Sequence, residues 1–253
     1  MLKHERQLLI QKLVNQRGAA SVNEIGEALS VSPMTVRRDL EVLDTHHALL
    51  RVHGGAQSLT MKALPELSRI QKRNLNVSEK DEVAQIAASL IQPGDIVYLG
   101  PGTTNELIAA HLLVGDVRMI TNSLPVFESF QERADQFQLQ LIGGSYRARS
   151  GAFIGSLAND VLSHLRTTKA FISVNGVKDN AISNANPEEG QTQRIALDNT
   201  AHRYVVADLS KLNKQDFYSF YDLSQVDRLI TNPAINRNDV ATYSKYTTVM
   251  TTA

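Results

Sequence analysis

The sequence predicts an α/β protein in two parts: an N-terminal winged helix-turn-helix domain, and a larger domain with a mainly parallel sheet. Two observations support this prediction. Residues 21–40 have the pattern of two short helices joined by a tight turn. From residue 96 onward, short apolar strands alternate with helical segments, which is typical of a parallel sheet with helices on both faces. A chain of 253 residues is long enough for both parts.

The composition excludes several classes of protein. With 42% hydrophobic and 21% charged residues, the chain has an ordinary globular composition. It has no cysteine, which excludes a disulfide scaffold, thiol catalysis and cysteine-based metal fingers, and we expect no metal or cofactor. No apolar run could span a bilayer, and the first residues lead into an amphipathic helix. We therefore expect a cytoplasmic protein with no membrane partner.

Charge gives no general signal for nucleic acid. The formal net charge is zero, and residues 1–58 carry seven Lys and Arg against six Asp and Glu. Any affinity for DNA must therefore come from where the charges lie. We assign 1–58 to the DNA-binding domain, 59–77 to a linker and 78–253 to an effector-binding domain.

The first helix is expected from His4 to about Arg17, where Gly18 ends it. Ser21 can cap the second helix, and Ser32 can cap the third, with Pro33 at its first position. The third helix would bury Val36, Leu40 and Leu43, leaving a polar first turn outside.

That polar turn is the candidate DNA-reading surface. Thr and Arg side chains can reach base edges, and guanidinium groups also hold phosphates. The candidate residues are Ser32, Pro33, Met34, Thr35, Arg37 and Arg38. From the residues alone, a helix pair with two solvated arginines remains an alternative.

Residues 49–59 are predicted to form a hairpin around Gly54 and Gly55. Three helices followed by a hairpin make a winged helix. The wing could place Arg51 and His53 on the phosphate backbone or in the minor groove. A turn residue bonded to local backbone is an equal alternative for His53.

The run TVRRDL at 35–40, followed by RVHGGA at 51–56, resembles the N-terminal domain of the DeoR family of bacterial transcriptional regulators. The resemblance implies a winged-helix domain that binds operator DNA. It also implies a second domain that senses a phosphorylated sugar.

The linker is polar, with basic residues that include Arg69, Lys72 and Arg73. Ser78 is predicted to cap the next helix, with Asp81 three residues later. The strands expected beyond it are 96–99, 118–121, 138–142, 169–174, 203–207, 228–231 and 246–250, and the helices are 106–113, 126–133, 158–165 and 191–200.

The loop after the first of these strands is a candidate phosphate cradle. Its sequence is Gly100-Pro101-Gly102-Thr103-Thr104, and a helix follows. Glycine allows close backbone approach, Thr hydroxyls donate, and the helix N-terminus offers free N–H groups. The loop lacks the Lys of a nucleotide P-loop, so we do not expect ATP or GTP. A plain Gly/Thr-rich connection is the alternative.

Other loops should converge on the same edge of the sheet. They contribute small, amide, hydroxyl or charged residues that suit a hydroxyl-rich sugar phosphate. The candidates are Asn122, Gly143, Gly144, Arg147, Asn175, Gly176, Glu189 and Lys211. Arg147 or Lys211 could neutralise the phosphate. For each residue alone, a turn or surface role is at least as plausible.

These loops resemble the DeoR effector domain, whose fold is similar to ribose-5-phosphate isomerase. The chain departs from the family where Gly100 and Asn175 replace the usual Asp, and where Leu209 replaces Ser. The departures at Gly100 and Asn175 should change which sugar hydroxyls are bound. The runs AFIG at 152–155, QRIAL at 193–197 and DFYSF at 216–220 resemble the subgroup that responds to tagatose 6-phosphate.

The leading hypothesis is a repressor of a lactose or galactose operon, which tagatose 6-phosphate releases from operator DNA. Two half-sites need two DNA-binding domains, so a homodimer or homotetramer is expected. One alternative is a sugar-phosphate isomerase or deaminase-like enzyme, with Glu189 or Asp208 as the base. Another is a regulator for a different sugar phosphate, such as fructose 1-phosphate.

Overall fold

The N-terminal domain is a winged helix. The computed structural model describes residues 2–52, 54–59 and 66–253. The elements of this domain are α1 (Lys3–Arg17), β1 (Ala19–Ser21), α2 (Val22–Leu29), α3 (Pro33–Thr45), β2 (Leu50–Val52) and β3 (Gly55–Gln57).

The predicted helix caps are confirmed. The Ser21 hydroxyl accepts a hydrogen bond from the backbone N–H of Glu24, and the Ser32 hydroxyl accepts one from Thr35. Gly54, with φ of +81°, turns the hairpin. These are local signals, which is why the sequence shows them.

Strand β1 was not among the predicted elements. It pairs antiparallel with β3, so the hairpin of β2 and β3 belongs to a three-stranded sheet in the order β1-β3-β2. The core beneath includes Ile10, Val14, Ile25 and Leu40, all fully buried or nearly so.

The linker carries a short helix, α4 (Arg69–Arg73), capped by Ser68. Helix α5 (Val77–Ser89) follows it. The prediction that Ser78 caps this helix is wrong. Asn76, in the left-handed conformation, is the N-cap residue, and its carbonyl accepts a hydrogen bond from the N–H of Lys80.

The second domain is built on a seven-stranded sheet whose strands are all parallel, as predicted. In spatial order the strands are β15 (Thr248–Met250), β14 (Arg228–Ile230), β12 (Thr200–Val206), β9 (Thr167–Ser173), β4 (Ile96–Leu99), β5 (Val117–Thr121) and β6 (Phe137–Leu141).

Helices cover both faces of the sheet, and each face has its own core. Helices α5, α6 (Asn105–His111) and α7 (Leu124–Gln131) pack on one face. The opposite face holds α8 (Ser156–His164), α9 (Pro187–Asp198) and α10 (Arg237–Tyr243). Helix α9 begins four residues earlier than predicted, because Asn186 caps it and Pro187 takes its first position.

Two small antiparallel arrangements were not predicted. One is the hairpin of β7 (Ser145–Arg147) and β8 (Ala152–Ile154). The other is the sheet of β10 (Gly176–Lys178), β11 (Ala181–Asn184) and β13 (Tyr218–Asp222). Three 3₁₀ turns lie at Ala134–Gln136, Leu209–Lys211 and Leu223–Gln225. Within the described ranges, no helix is long and apolar enough to cross a membrane.

Candidate functional site

An open cleft lies past the carboxyl ends of β4 and β9. Ligands of parallel sheets bind at this edge. We call it the effector cavity, and it is lined by Arg69, Lys72, Lys80, Pro101, Gly102, Thr103, Thr104, Arg149, Ser150, Ser173, Val174, Asn175, Asn184, Glu189, Gln193 and Lys211.

The Gly/Thr loop forms one wall of the cavity. Gly102 has φ of +151°, and a Cβ there would lie 2.3 Å from Cβ of Ser173, so only glycine fits. Below the loop, the buried Asn105 amide donates to the carbonyls of Gly100 at 2.8 Å and Phe171 at 3.0 Å. These bonds fix the loop to the sheet.

Several basic side chains line the cavity. Two of them, Lys72 and Lys80, are partly or fully buried, which is unfavourable for a charged group. Lys80 is only 3% exposed, and its Nζ donates to the carbonyl oxygens of Lys72 and Leu75. Desolvation lowers the pKa of both Lys72 and Lys80. Because burial disfavours a cation, an anion bound here would be strongly stabilised.

The linker lies across this cavity. The Arg69 guanidinium donates through Nε and Nη2 to the two carboxylate oxygens of Glu106, each at 2.8 Å. The backbone N–H of Arg69 donates to the carbonyl of Arg149, and Lys72 Nζ donates to Oδ1 of Asn175 at 2.9 Å. Helix α4 is thereby bonded to the first turn of α6 and to two loops around the cavity.

The opposite wall is rich in amides. Nδ2 of Asn184 donates to Oε1 of Gln193 at 2.5 Å, and Oδ1 of Asn184 accepts from the backbone N–H of Asn175. Glu189, which is 8% exposed, accepts from Nη1 of Arg147 at 3.0 Å. A wall of amides and a carboxylate can bind sugar hydroxyls.

Six predicted effector residues line the cavity: Gly102, Thr103, Thr104, Asn175, Glu189 and Lys211. Arg147 lies beside them, bonded to Glu189 and to the linker residue Glu66. The other five predicted residues are not part of the lining: Gly100, Asn122, Gly143, Gly144 and Gly176. The side chain of Asn122, for example, is buried and bonds Tyr98 and the carbonyl of Phe153.

The lining includes eight polar or charged residues that sequence reasoning did not select: Arg69, Lys72, Lys80, Arg149, Ser150, Ser173, Asn184 and Gln193. The basic residues of the linker were the one sequence signal that could have identified part of this lining. Its Arg69 and Lys72 stand out as charges in a segment with no other pattern.

The candidate DNA-reading residues lie on an open surface. Met34 is 56% exposed, and Arg37 and Arg38 are exposed beside it on α3. The hydroxyls of Ser32 and Thr35 bond each other at 2.9 Å, at the exposed start of α3 where Pro33 also lies. Arg51 is exposed on β2, and His53 lies outside the described residues.

The DNA-binding domain is docked on the second domain through α9 and β13. Buried Tyr218 lies beside Glu24 and Ser21 of the DNA-binding domain, and desolvation raises its pKa. At the wing, a Cβ on Gly54 would lie 3.4 Å from Cγ of Glu188. The tip of the wing therefore lies against the first turn of α9.

A winged helix with exposed arginines, joined by a linker that crosses a cation-lined cavity, defines a ligand-responsive DNA-binding protein. Residues 6–62 match the DeoR-like helix-turn-helix domain, and residues 75–233 match the DeoR C terminal sensor domain. The chain belongs to the DeoR family and is a DNA-binding transcriptional repressor of that family.

Its similar relatives include lactose phosphotransferase system repressors. The protein of this name from Streptococcus mutans is 41% identical over 251 residues, which cover 99% of this chain and 100% of the relative. That from Staphylococcus epidermidis is 41% identical over 92% of this chain and 93% of its own length. Among solved structures, ribose 5-phosphate isomerase A from Methanocaldococcus jannaschii matches with a TM-score of 0.39 and 19% identity, over 54% of this chain and 55% of that one.

Proposed function

We propose that the chain represses a lactose or galactose utilisation operon and that tagatose 6-phosphate is the effector that releases it. The named relatives support the choice of operon. A different sugar phosphate, such as fructose 1-phosphate, is the alternative effector. We also propose that the protein is cytoplasmic. Its proposed parts are a DNA-binding domain at 1–58, a linker at 59–77 and an effector domain at 78–253.

One observation carries the proposal: the segment that leads to the DNA-binding domain also supplies cations to the effector cavity. Arg69 and Lys72 of the linker line the cavity together with Lys80 and Lys211. A ligand that binds these cations acts directly on the position of the linker. Such a differential contact is what an effector needs in order to shift a conformational equilibrium.

In this proposal the phosphate group binds at Gly102, Thr103 and Thr104, with Lys80 and Lys211 neutralising its charge. The sugar hydroxyls face Glu189 and the amides of Asn184 and Gln193.

At the operator, Arg37 and Arg38 would contact bases and phosphates from the major groove. Ser32, Pro33, Met34 and Thr35 present the first turn of the helix, and Arg51 and His53 belong to the wing. Two copies of the chain, as a homodimer or homotetramer, would bind the two halves of an operator.

The first turn of α9 is the proposed link between cavity and wing. Three consecutive residues there face three different partners. Glu188 lies at the wing, Glu189 lines the cavity, and Gly190 packs on Tyr218, which holds the DNA-binding domain. A wing tip held against α9 cannot enter a minor groove, so the docked arrangement corresponds to the released repressor.

An enzyme on a similar sheet is the competing function. Isomerisation needs a free general base beside the substrate. Glu189 is paired with Arg147, and Asp208 is 1% exposed and is not part of the cavity lining. These contacts favour a binding site over a catalytic one, and we propose that the chain is not an enzyme.

The proposal is tested by measuring thermal stability against a panel of sugar phosphates that includes tagatose 6-phosphate, fructose 1-phosphate and ribose 5-phosphate. A specific ligand at a hundred times its Kd stabilises the fold by about 2.7 kcal/mol. The same compounds are assayed for turnover. Stabilisation by a ketose phosphate without conversion supports the effector role, whereas rapid conversion would establish the enzyme instead.

Removal of one hydroxyl tests the phosphate loop. Thr103→Ala should leave operator binding intact and raise the tagatose 6-phosphate concentration needed for half-release about tenfold, the equivalent of one lost charge-assisted hydrogen bond. Thr242→Ala on α10, whose hydroxyl bonds the carbonyl of Asn238, is the matched control. A normal response of Thr103→Ala would place the phosphate elsewhere.

A further inference from the structure

Asp216 lies behind the cavity wall and contacts it through the side chain of Asn175. Its Oδ2 accepts from Nδ2 of Asn175 at 2.8 Å. Its Oδ1 accepts from the backbone N–H of Phe217 at 2.7 Å, and its own N–H donates to Ser183. Asp216 itself is not among the residues that line the cavity.

These contacts decide which way the Asn175 amide points. A carboxylate only accepts hydrogen bonds, so Asp216 must face the NH₂ group of Asn175. The amide oxygen of Asn175 therefore points toward the linker, where it accepts a hydrogen bond from Lys72 Nζ at 2.9 Å. A flipped amide would present N–H donors to an ammonium group, and that contact would be lost.

We infer that Asp216 is a positioning residue for effector recognition: acting through Asn175, it holds Lys72 of the linker at the cavity. This inference rests on the proposed function, because it concerns the response of the same cavity to a sugar phosphate. The other charged groups around Lys72 are Glu66, Glu189, Lys80 and Lys211. Asp216 is the one whose carboxylate orients a hydrogen-bond acceptor of Lys72.

The arrangement separates the hydrogen-bond acceptor from the negative charge. The residue at the cavity wall is the neutral amide Asn175, and the carboxylate of Asp216 lies behind it, farther from the cavity. The pair therefore keeps an acceptor for Lys72 and leaves the cavity wall itself uncharged at residue 175.

Exchanging the carboxylate and the amide between positions 216 and 175 tests the inference. In Asp216→Asn, a single amide oxygen must serve both Phe217 and Asn175, so one donor is unpaired. In Asn175→Asp, two carboxylates face each other. In the double variant, the new amide at position 216 can donate to the new carboxylate at position 175 and still accept from Phe217. That carboxylate in turn accepts from Lys72.

The readout is the tagatose 6-phosphate concentration that half-releases operator DNA. Each single variant should need about tenfold more, the equivalent of one lost hydrogen bond, and the double variant should recover to within about threefold of the wild type. Asp222→Asn, an exposed carboxylate at the end of β13, the strand that follows Asp216, is the control. Operator binding without sugar phosphate shows that each variant folds.

A second readout needs no effector. Hydrogen exchange of residues 68–75 in the ligand-free protein should be faster in Asp216→Asn and return toward the wild-type rate in the double variant. A wild type that ignores tagatose 6-phosphate would refute the effector assignment, and the exchange rates would still decide the role of Asp216. Wild-type behaviour of Asp216→Asn in both readouts, or a double variant as impaired as the singles, would overturn the inference.

Discussion

Individual lysines give the cavity its chemistry, because they are cations held where water is scarce. Lys72 and Lys80 both have pKa values lowered by desolvation, with Asp208 opposing the effect at Lys80. A buried ammonium is stabilised when an anion binds beside it. The binding of a phosphorylated sugar should therefore be coupled to protonation.

This coupling predicts a pH dependence with a defined sign. In the free protein the pKa of Lys72 is lowered, and a bound phosphate dianion would raise it again, so binding takes up protons. Where the sugar phosphate is a dianion, affinity should fall as the pH rises toward and through the lowered pKa of Lys72, because the ammonium group must then be reprotonated on binding. Titration of tagatose 6-phosphate at several pH values measures this.

Lys72→Arg is the informative variant, because an arginine stays protonated over the whole range. Its affinity should vary less with pH than that of the wild type, with the remaining variation coming from Lys80. Equal slopes in the two proteins would show that Lys72 does not change its protonation on binding.

Another single-residue prediction concerns the operator. Arg38 is exposed on α3, and its loss should weaken operator binding by about 1–3 kcal/mol. Arg118→Ala, an exposed arginine on β5 in the second domain, should bind as the wild type does. A gel-shift titration at fixed salt compares them, and an unchanged affinity of Arg38→Ala would remove Arg38 from the interface.

At the scale of helices and strands, the sequence predicts elements with local signals and misses those with distant partners. The caps Ser21 and Ser32 and the buried run Ile96–Leu99 act within a few residues, and the structure has them as expected. Strand β1 has three residues, and only its pairing with β3 defines it. Strand β13 likewise pairs with a distant strand, β11, with α9 and β12 between them in the chain. The hairpins β7–β8 and β10–β11 are local, but their strands have only three or four residues, which is too short for a clear strand pattern.

The cavity follows the same rule: its local motif could be predicted from the sequence, and its long-range contacts could not. The Gly/Thr loop is a continuous motif, whereas the contact between Lys72 and Asn175 joins residues 103 positions apart. Nothing in the local sequence of the linker indicates that it folds back over the sheet. Its helix α4 has five residues, too few to be stable without the contacts that hold it.

Those contacts predict how the linker responds to a mutation. Arg69→Ala removes two charge-assisted hydrogen bonds to Glu106, and local opening of the linker should become easier by about 1–2 kcal/mol. Trypsin should then cleave after Lys72 and Arg73 about 5–30 times faster. Gel analysis of limited digests measures the rate.

Two comparisons sharpen this experiment. Arg118→Ala should be cleaved in the linker at the wild-type rate, and tagatose 6-phosphate should slow linker cleavage in the wild type by closing the cavity. If Arg69→Ala is cleaved no faster than Arg118→Ala, the bond to Glu106 does not hold the linker in place.

For the whole molecule, the question is how ligand binding in the cavity of one domain affects the wing of the other. The two are separated by a single turn of α9, with Glu189 on the cavity side and Glu188 on the wing side. The turn packs closely on β13, since a Cβ on Gly190 would lie 2.7 Å from the ring of Tyr218. Tyr218 in turn lies beside Glu24 and Ser21 of the DNA-binding domain. A shift of this turn would therefore move both contacts of the docked domain together.

Gly190→Ala tests this route, because the added methyl group must push α9 away from Tyr218 and so weaken docking. If the docked domain is the released state, the variant should bind operator at least as tightly as the wild type. It should also need about tenfold more tagatose 6-phosphate for half-release, the change expected if docking is weakened by about 1.4 kcal/mol. Gly143→Ala, where a Cβ meets nothing within 4 Å, controls for the substitution itself. Release of Gly190→Ala at the wild-type concentration would mean that the signal travels through the linker alone, and weaker operator binding by this variant would mean that the docked arrangement is the one that binds DNA.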